Sequence, residues 1–156
     1  MDPAPTPLSP AEARALAAVL DVLVPPSADG RLPGAGALGL ARRVEDAMAR
    51  APQLTAAVRE ALAGLAALAR ERGADALEAL APGAREAVLR EVAARVPSFV
   101  PGLLFHTYAG YYQHPDVLAA IGLEPRPPFP KGYAVPPSDL DALLAPVRSR
   151  APLYRR

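Results

Sequence analysis

Apolar residues recur every three or four positions through most of this chain, which is the spacing of one face of a helix. The first such segment begins with Ser9, Pro10 and Glu12, a capping-box pattern at a helix start. Its apolar positions are Leu16, Val19, Leu20 and Leu23. Apolar and polar residues nowhere alternate with a period of two. The pattern therefore predicts an all-α fold, a compact bundle of about five to seven helices.

Proline and glycine separate the remaining helical segments. These segments are predicted at about 37–50, 52–73, 77–80, 82–95, 98–114 and 115–121. We expect Ser98 to cap the fifth of them. In that helix we expect Val100, Leu103, Leu104 and Tyr111 near one face.

The positions of the prolines and glycines also predict the domain organisation. Residues 1–8 are predicted to be a flexible N-terminus, and residues 9–122 a single helical domain. Residues 123–156 are predicted to form an extended, proline-rich C-terminal arm with a basic tail. The arm holds one short helix, expected to end at about Ala145. The arm as a whole either wraps its own domain or docks on a partner, and both interpretations stay open.

Composition narrows the classes of function. The chain has 156 residues, 51% of them hydrophobic, and a net charge of +1. It is thus long enough to bury a core, and its charge offers no electrostatic case for binding nucleic acid. It has no cysteine, so thiolate metal sites and disulfides are excluded. No apolar run approaches the roughly 20 residues of a membrane span.

Localisation is predicted from the first residues. They lack the basic start and the apolar stretch of a signal peptide. We therefore expect a cytoplasmic protein, periplasmic only if a partner carries it.

The chemically richest stretch is 103–115, which contains both histidines and four of the eight aromatic residues. His106 and His114 would lie about 12 Å apart along one helix, too far to share a metal ion. As a general base, His106 would need a pocket and an orienting acceptor. We instead expect a buried or half-buried ring that hydrogen-bonds a backbone carbonyl or a carboxylate.

Three tyrosines in this stretch, Tyr108, Tyr111 and Tyr112, form a ridge at positions i, i+3 and i+4. They could pack in the core or contact a partner, and we expect at least one in the core. Their hydroxyls cannot all form hydrogen bonds in a core of Ala, Leu and Val, so some should reach a solvent-exposed or partner-bound surface. The candidate partner-binding residues are His106, Tyr108, Tyr111, Tyr112, His114, Phe129 and Tyr133.

The glycines at Gly34, Gly36 and Gly39 superficially match a dinucleotide-binding loop. That loop requires a preceding strand, and none is predicted here. We therefore expect no nucleotide site in this segment.

Three segments resemble the gluconate 2-dehydrogenase subunit 3 family, the small subunits of flavin-dependent sugar or alcohol dehydrogenases. The first opens with LSPAE at Leu8 and runs to Pro25; the others are ALAPGAREAVL from Ala79 and HTYAGYYQHP from His106. The resemblance spans about residues 8–122. The chain departs from the family after Pro115, where it lacks a glycine–asparagine stretch and a tryptophan.

The resemblance implies an all-helical, non-catalytic subunit. The residues agree, since no motif in the sequence supplies a cofactor, metal or catalytic site, and we expect none in this chain. Such a subunit would bind, stabilise or help mature a large flavoprotein oxidoreductase of the glucose–methanol–choline type, and that partner would hold the FAD. Two alternatives stay open. One is a stand-alone helical module that binds a small apolar ligand through His106 and Tyr108. The other is a small enzyme that uses His106 as a base.

Overall fold

The computed structural model describes residues 7–126, 132 and 137–150, and every regular element in those ranges is helical. The elements are α1 (Pro10–Leu23), α2 (Ala41–Met48), α3 (Pro52–Glu71), a 3₁₀ turn (Leu77–Ala79), α4 (Pro82–Arg95), α5 (Phe99–Tyr111), α6 (Pro115–Ala120) and α7 (Leu140–Arg148). The predicted all-α fold is confirmed.

The chain divides into two compact units, Met1–Pro125 and Arg126–Arg156. The first unit is a helical bundle that contains α1 to α6. The second contains α7. Phe129 and Tyr133 lie outside the described residues.

Helix α1 begins where its capping residues place it. The Ser9 hydroxyl accepts a hydrogen bond from the Glu12 backbone N–H at 3.3 Å, and the Glu12 carboxylate accepts one from the Ser9 N–H at 2.8 Å. The two bonds satisfy donors that a helix start otherwise leaves unpaired, so the predicted capping box is confirmed. Leu16, Val19 and Leu20 follow on the buried face.

The core of the bundle is built mainly from small and branched side chains. Helix α3 contacts α1, α2, α4 and α5 and buries a continuous stripe: Ala57, Val58, Ala61, Leu62, Leu65, Leu68 and Ala69. Helix α4 adds Val88, Leu89 and Val92. The largest fully buried side chain is Phe99, at the start of α5.

Three local predictions were wrong. Helix α2 begins at Ala41 rather than near residue 37, because Gly39 adopts a φ of +68° that a helix does not allow. Ser98 does not cap α5 through its side chain, since its backbone is already helical. Helix α7 continues past Ala145 to Arg148 with Pro146 inside it.

None of the helices in the described part of the chain is both long and apolar enough to cross a bilayer.

Candidate partner-binding surface

Helix α5 positions most of the predicted site residues, and its buried face sets their orientation. That face consists of Phe99, Leu103, Thr107, Gly110 and Tyr111. Val100 and Leu104, which we expected to lie with this group, are only half-buried. The Thr107 hydroxyl donates to the Leu103 carbonyl oxygen at 2.8 Å, so its burial leaves no unpaired donor.

Gly110 allows α5 to lie close against α2. A Cβ atom at this position would stand 2.8 Å from Arg43 Cδ and 3.0 Å from Leu40 Cδ2. The glycine of the third family-like segment is therefore a packing residue between two helices. The sequence alone did not indicate this role.

Tyr111 belongs to the core, as we expected of at least one tyrosine in the ridge. It is only 2% exposed, and its hydroxyl donates to the Pro33 carbonyl oxygen at 2.8 Å. Burial raises the pKa of this phenol above its ordinary value of 10.0, and the neighbouring Tyr112 raises it further. Tyr111 therefore anchors α5 to the loop before α2 instead of presenting itself to a partner.

The other face of α5 carries three exposed aromatic side chains, which we call the aromatic stripe. Phe105, Tyr108 and Tyr112 are 72%, 44% and 54% exposed. They follow at i, i+3 and i+7, so they line one face of the helix. The rings of Tyr108 and Tyr112 lie 6.2 Å apart. Of the predicted tyrosine ridge, Tyr108 and Tyr112 are thus placed where a partner could reach them.

The two histidines, His106 and His114, lie in different surroundings and have different contacts. The His106 ring is half-buried and meets the Phe105 ring edge to face at 5.2 Å. Among the described residues, none forms a hydrogen bond with that ring, so the expected carbonyl or carboxylate partner is not found there. A general base at His106 would have no orienting acceptor in this arrangement.

His114 has a structural role at the start of α6. Its Nδ1 accepts a hydrogen bond from the Asp116 backbone N–H at 3.3 Å and thereby caps the helix. Within residues 7–126, 132 and 137–150, no group of three His, Asp or Glu side chains could hold a metal ion.

The loop between α1 and α2, residues 27–36, is fixed at several points. Besides the Tyr111 bond, the Asp21 carboxylate accepts the Gly36 N–H at 2.8 Å. The Arg31 guanidinium donates to the Ala120 carbonyl oxygen at 2.7 Å. The loop therefore joins α1, α5 and α6. Gly34 and Gly36, weighed above only as part of a nucleotide loop, allow the loop to pack closely on α1.

The same loop borders a surface cleft of about 680 Å³ with proline-rich walls. Its lining includes Pro25, Pro33, Pro82 and the Asp21 side chain, but neither His106 nor Tyr108. The two residues proposed as polar contacts of a stand-alone ligand module thus do not face this cleft.

Comparison with known proteins gives one match. The family model described as gluconate 2-dehydrogenase subunit 3 matches residues 10–123, from the start of α1 to just past α6. No curated protein and no solved structure matches the chain. Because the family model covers well over half of the sequence, the chain belongs to the gluconate 2-dehydrogenase subunit 3 family.

Proposed function

We propose that this protein is a non-catalytic accessory subunit that binds and stabilises a large FAD-dependent oxidoreductase. The partner would be of the glucose–methanol–choline type and would oxidise a sugar or an alcohol. The family match over residues 10–123 carries this proposal, since the family is described as one subunit of a dehydrogenase. The FAD belongs to the partner in this proposal, and this chain supplies a binding surface.

The aromatic stripe supports a protein partner. Large aromatic side chains that also carry a hydroxyl are enriched at protein interfaces, because one end is apolar and the other stays hydrogen-bonded at the rim. Tyr108 and Tyr112 offer this combination, and Phe105 adds an exposed apolar ring on the same helix face. Burying such anchors typically contributes about 1–2 kcal/mol or more of binding free energy each.

The stripe is also rigidly presented. The opposite face of α5 is locked by Phe99 and Leu103 in the core and by the Tyr111 bond to Pro33. A surface that is already ordered loses little conformational entropy on binding. We therefore assign the contact with the large subunit to the aromatic stripe.

The proposal is tested by co-expressing the chain with a candidate large flavin oxidoreductase of the glucose–methanol–choline type from the same genome. We expect a complex of defined stoichiometry that shows flavin absorbance. We also expect the large subunit to be less soluble or less thermostable without the small one. Absence of a complex under conditions where both chains are folded would contradict the proposed function.

The surface assignment is tested with Tyr108→Ala and Tyr112→Ala. Each variant should weaken the complex by at least about 5-fold, because an interface anchor is lost. Their circular dichroism should stay unchanged, since neither side chain is in the core. The matched control is Tyr111→Phe, which should reduce stability but leave the affinity within about 2-fold.

A further inference from the structure

An arginine on α2 lies against the end of α5 that carries Tyr112. The Arg43 side chain crosses Gly110, where a Cβ atom would stand 2.8 Å from the arginine Cδ and 3.4 Å from its Nε. Its Nη2 donates a hydrogen bond to the Gln113 Oε1 at 3.3 Å. Gln113 directly follows Tyr112 in the chain, so the guanidinium is held beside the C-terminal end of the aromatic stripe.

The charge of Arg43 is not neutralised by the described part of the chain. Its neighbour Arg42 pairs with the Asp46 carboxylate at 3.6 Å, and Arg72 pairs with Glu91 at 3.2 Å. The Arg43 guanidinium instead bonds a neutral amide, and no carboxylate of the described residues lies within ion-pair distance of it. Arg43 therefore retains donors that an external carboxylate could use.

The position of Arg43 is largely fixed before any partner binds. Gly110 has no Cβ, so the aliphatic part of the arginine can lie directly on α5. The bond to Gln113 restrains the guanidinium at the other end of the side chain. A side chain that is already ordered loses less rotamer entropy on binding than a free one. Tyrosine and arginine are also the residue types enriched among interface anchors, and both occur here.

Burial of the aromatic stripe would change the surroundings of this charge. Arg43 is exposed in the chain by itself, so water solvates its guanidinium. A partner that covers Tyr112 would remove part of that water, and a charge left unpaired in such a contact is costly. A neutral amide does not compensate for this loss, whereas a carboxylate can accept two parallel hydrogen bonds from a guanidinium.

We propose that Arg43 is a charged anchor beside the aromatic stripe and that it binds a carboxylate side chain of the large flavoprotein subunit. The proposal rests on the proposed function, because it takes its partner and its surface from there. It adds the chemistry of the partner surface. That surface is apolar where it meets the aromatic stripe and carries an aspartate or glutamate opposite the C-terminal end of α5.

The test compares wild type with Arg43→Gln and Arg43→Glu in titration calorimetry against the purified flavoprotein subunit. Arg43→Gln removes the charge and should weaken binding by at least about 5-fold, and Arg43→Glu should weaken it by at least about 20-fold, because it places like charges opposite each other. Arg43→Lys should recover only part of the affinity, since an ammonium group lacks the planar fork of a guanidinium.

The matched control is Arg70→Glu, which makes the same change of charge near the C-terminal end of α3. Arg70 is exposed and lies about 24 Å along α3 from Leu54, the residue of that helix that contacts Gly102 of α5. The control should bind within about 2-fold of wild type. Equal weakening by the two glutamate variants would show a general charge effect and would overturn the proposal.

Salt distinguishes an ion pair from a structural role of Arg43. The affinity difference between wild type and Arg43→Gln should shrink when NaCl is raised from about 50 to about 500 mM, because salt screens the pair. A difference that does not change with salt, or that appears only with a lower melting temperature of the variant, would assign Arg43 to packing and overturn the proposal.

The experiment separates this inference from the proposed function. A wild-type chain that forms no complex with the flavoprotein contradicts the proposed function itself. A wild-type complex that binds Arg43→Gln and Arg43→Glu within about 2-fold of wild type contradicts only the role of Arg43, whose guanidinium then stays in water.

Discussion

At the residue scale, neighbouring tyrosines on one helix have opposite roles. Tyr111 is buried and bonded to Pro33, whereas Tyr112 is 54% exposed. The rotation of about 100° per residue places them on different faces, although their rings still touch edge to face at 5.3 Å. A tyrosine in this helix is therefore structural or available to a partner according to its position relative to the core.

Replacing Tyr111 by Phe should lower the free energy of unfolding by about 1 kcal/mol. The change removes the hydroxyl and leaves the Pro33 carbonyl without that donor. Urea denaturation at neutral pH measures the effect. Tyr112→Phe is the control and should change stability by less than about 0.5 kcal/mol, because that side chain is exposed. Equal effects of the two variants would contradict a structural role for the Tyr111 hydroxyl.

The raised pKa of Tyr111 predicts a dependence on alkaline pH. The folded pKa lies above the ordinary value of 10.0, so the unfolded chain releases this proton first as the pH rises. The contribution of the neutral Tyr111 phenol to the free energy of unfolding is thus fully present below pH 10 and is lost as the pH rises through the folded pKa. The stability difference between wild type and Tyr111→Phe should be constant up to about pH 9 and shrink above pH 10. A difference that stays constant to pH 11 would argue against the shift.

At the scale of elements, close approaches between helices and loops decide the packing. The 27–36 loop packs so closely on α1 that a Cβ on Gly36 would lie 2.2 Å from the Ala17 carbonyl oxygen. Within α3, by contrast, a Cβ on Gly64 would meet Val92 Cγ2 at an ordinary 3.5 Å. The two glycines look alike in the sequence, but only the first is required by its surroundings.

Gly36→Ala and Gly64→Ala should therefore change stability in opposite directions. Gly36→Ala should destabilise the protein by about 2 kcal/mol, because the overlap is with backbone that cannot move aside. Gly64→Ala should stabilise it by about 0.5–1 kcal/mol, since alanine is the better helix former and fits. Thermal unfolding of both variants measures this. If both substitutions instead stabilised the protein, the 27–36 loop would have to shift to accommodate the added methyl group.

At the scale of the whole molecule, the buried apolar residues of the described part of the chain lie in the first unit. The bundle contains the buried core and the family match, and the unit beyond Pro125 contributes a helix without a buried residue. Stability should therefore respond mainly to changes in the first unit.

Ending the chain after Pro125 should leave the melting temperature within about 2 °C of the full-length value. The reason is that, among the described residues, every buried apolar side chain lies between Leu8 and Val117. Differential scanning calorimetry and far-UV circular dichroism measure this. The control is a chain that ends after Tyr112, which removes the buried Val117 and should unfold at a lower temperature. A large drop in the Pro125 truncation would show that the bundle depends on the second unit.

The sequence by itself determined where most helices begin and that the fold is all-α. The Ser9 capping box and the prolines at Pro52 and Pro82 act on their own backbone within three or four residues, so these helix starts do not depend on distant packing. The family resemblance was also readable from local motifs, and the match over residues 10–123 confirms it.

Only the tertiary structure decided which face of α5 is buried. That face depends on what α2 and the 27–36 loop place beside the helix, with Gly110 against Arg43 and the Tyr111 hydroxyl against Pro33, 78 positions away in sequence. The aromatic stripe is what remains outside. Tyr108 and Tyr112 of this stripe were among the partner-binding candidates predicted from the sequence, but Phe105 was missed. A helical repeat shows that a face exists, and only contacts between distant residues determine whether it is covered.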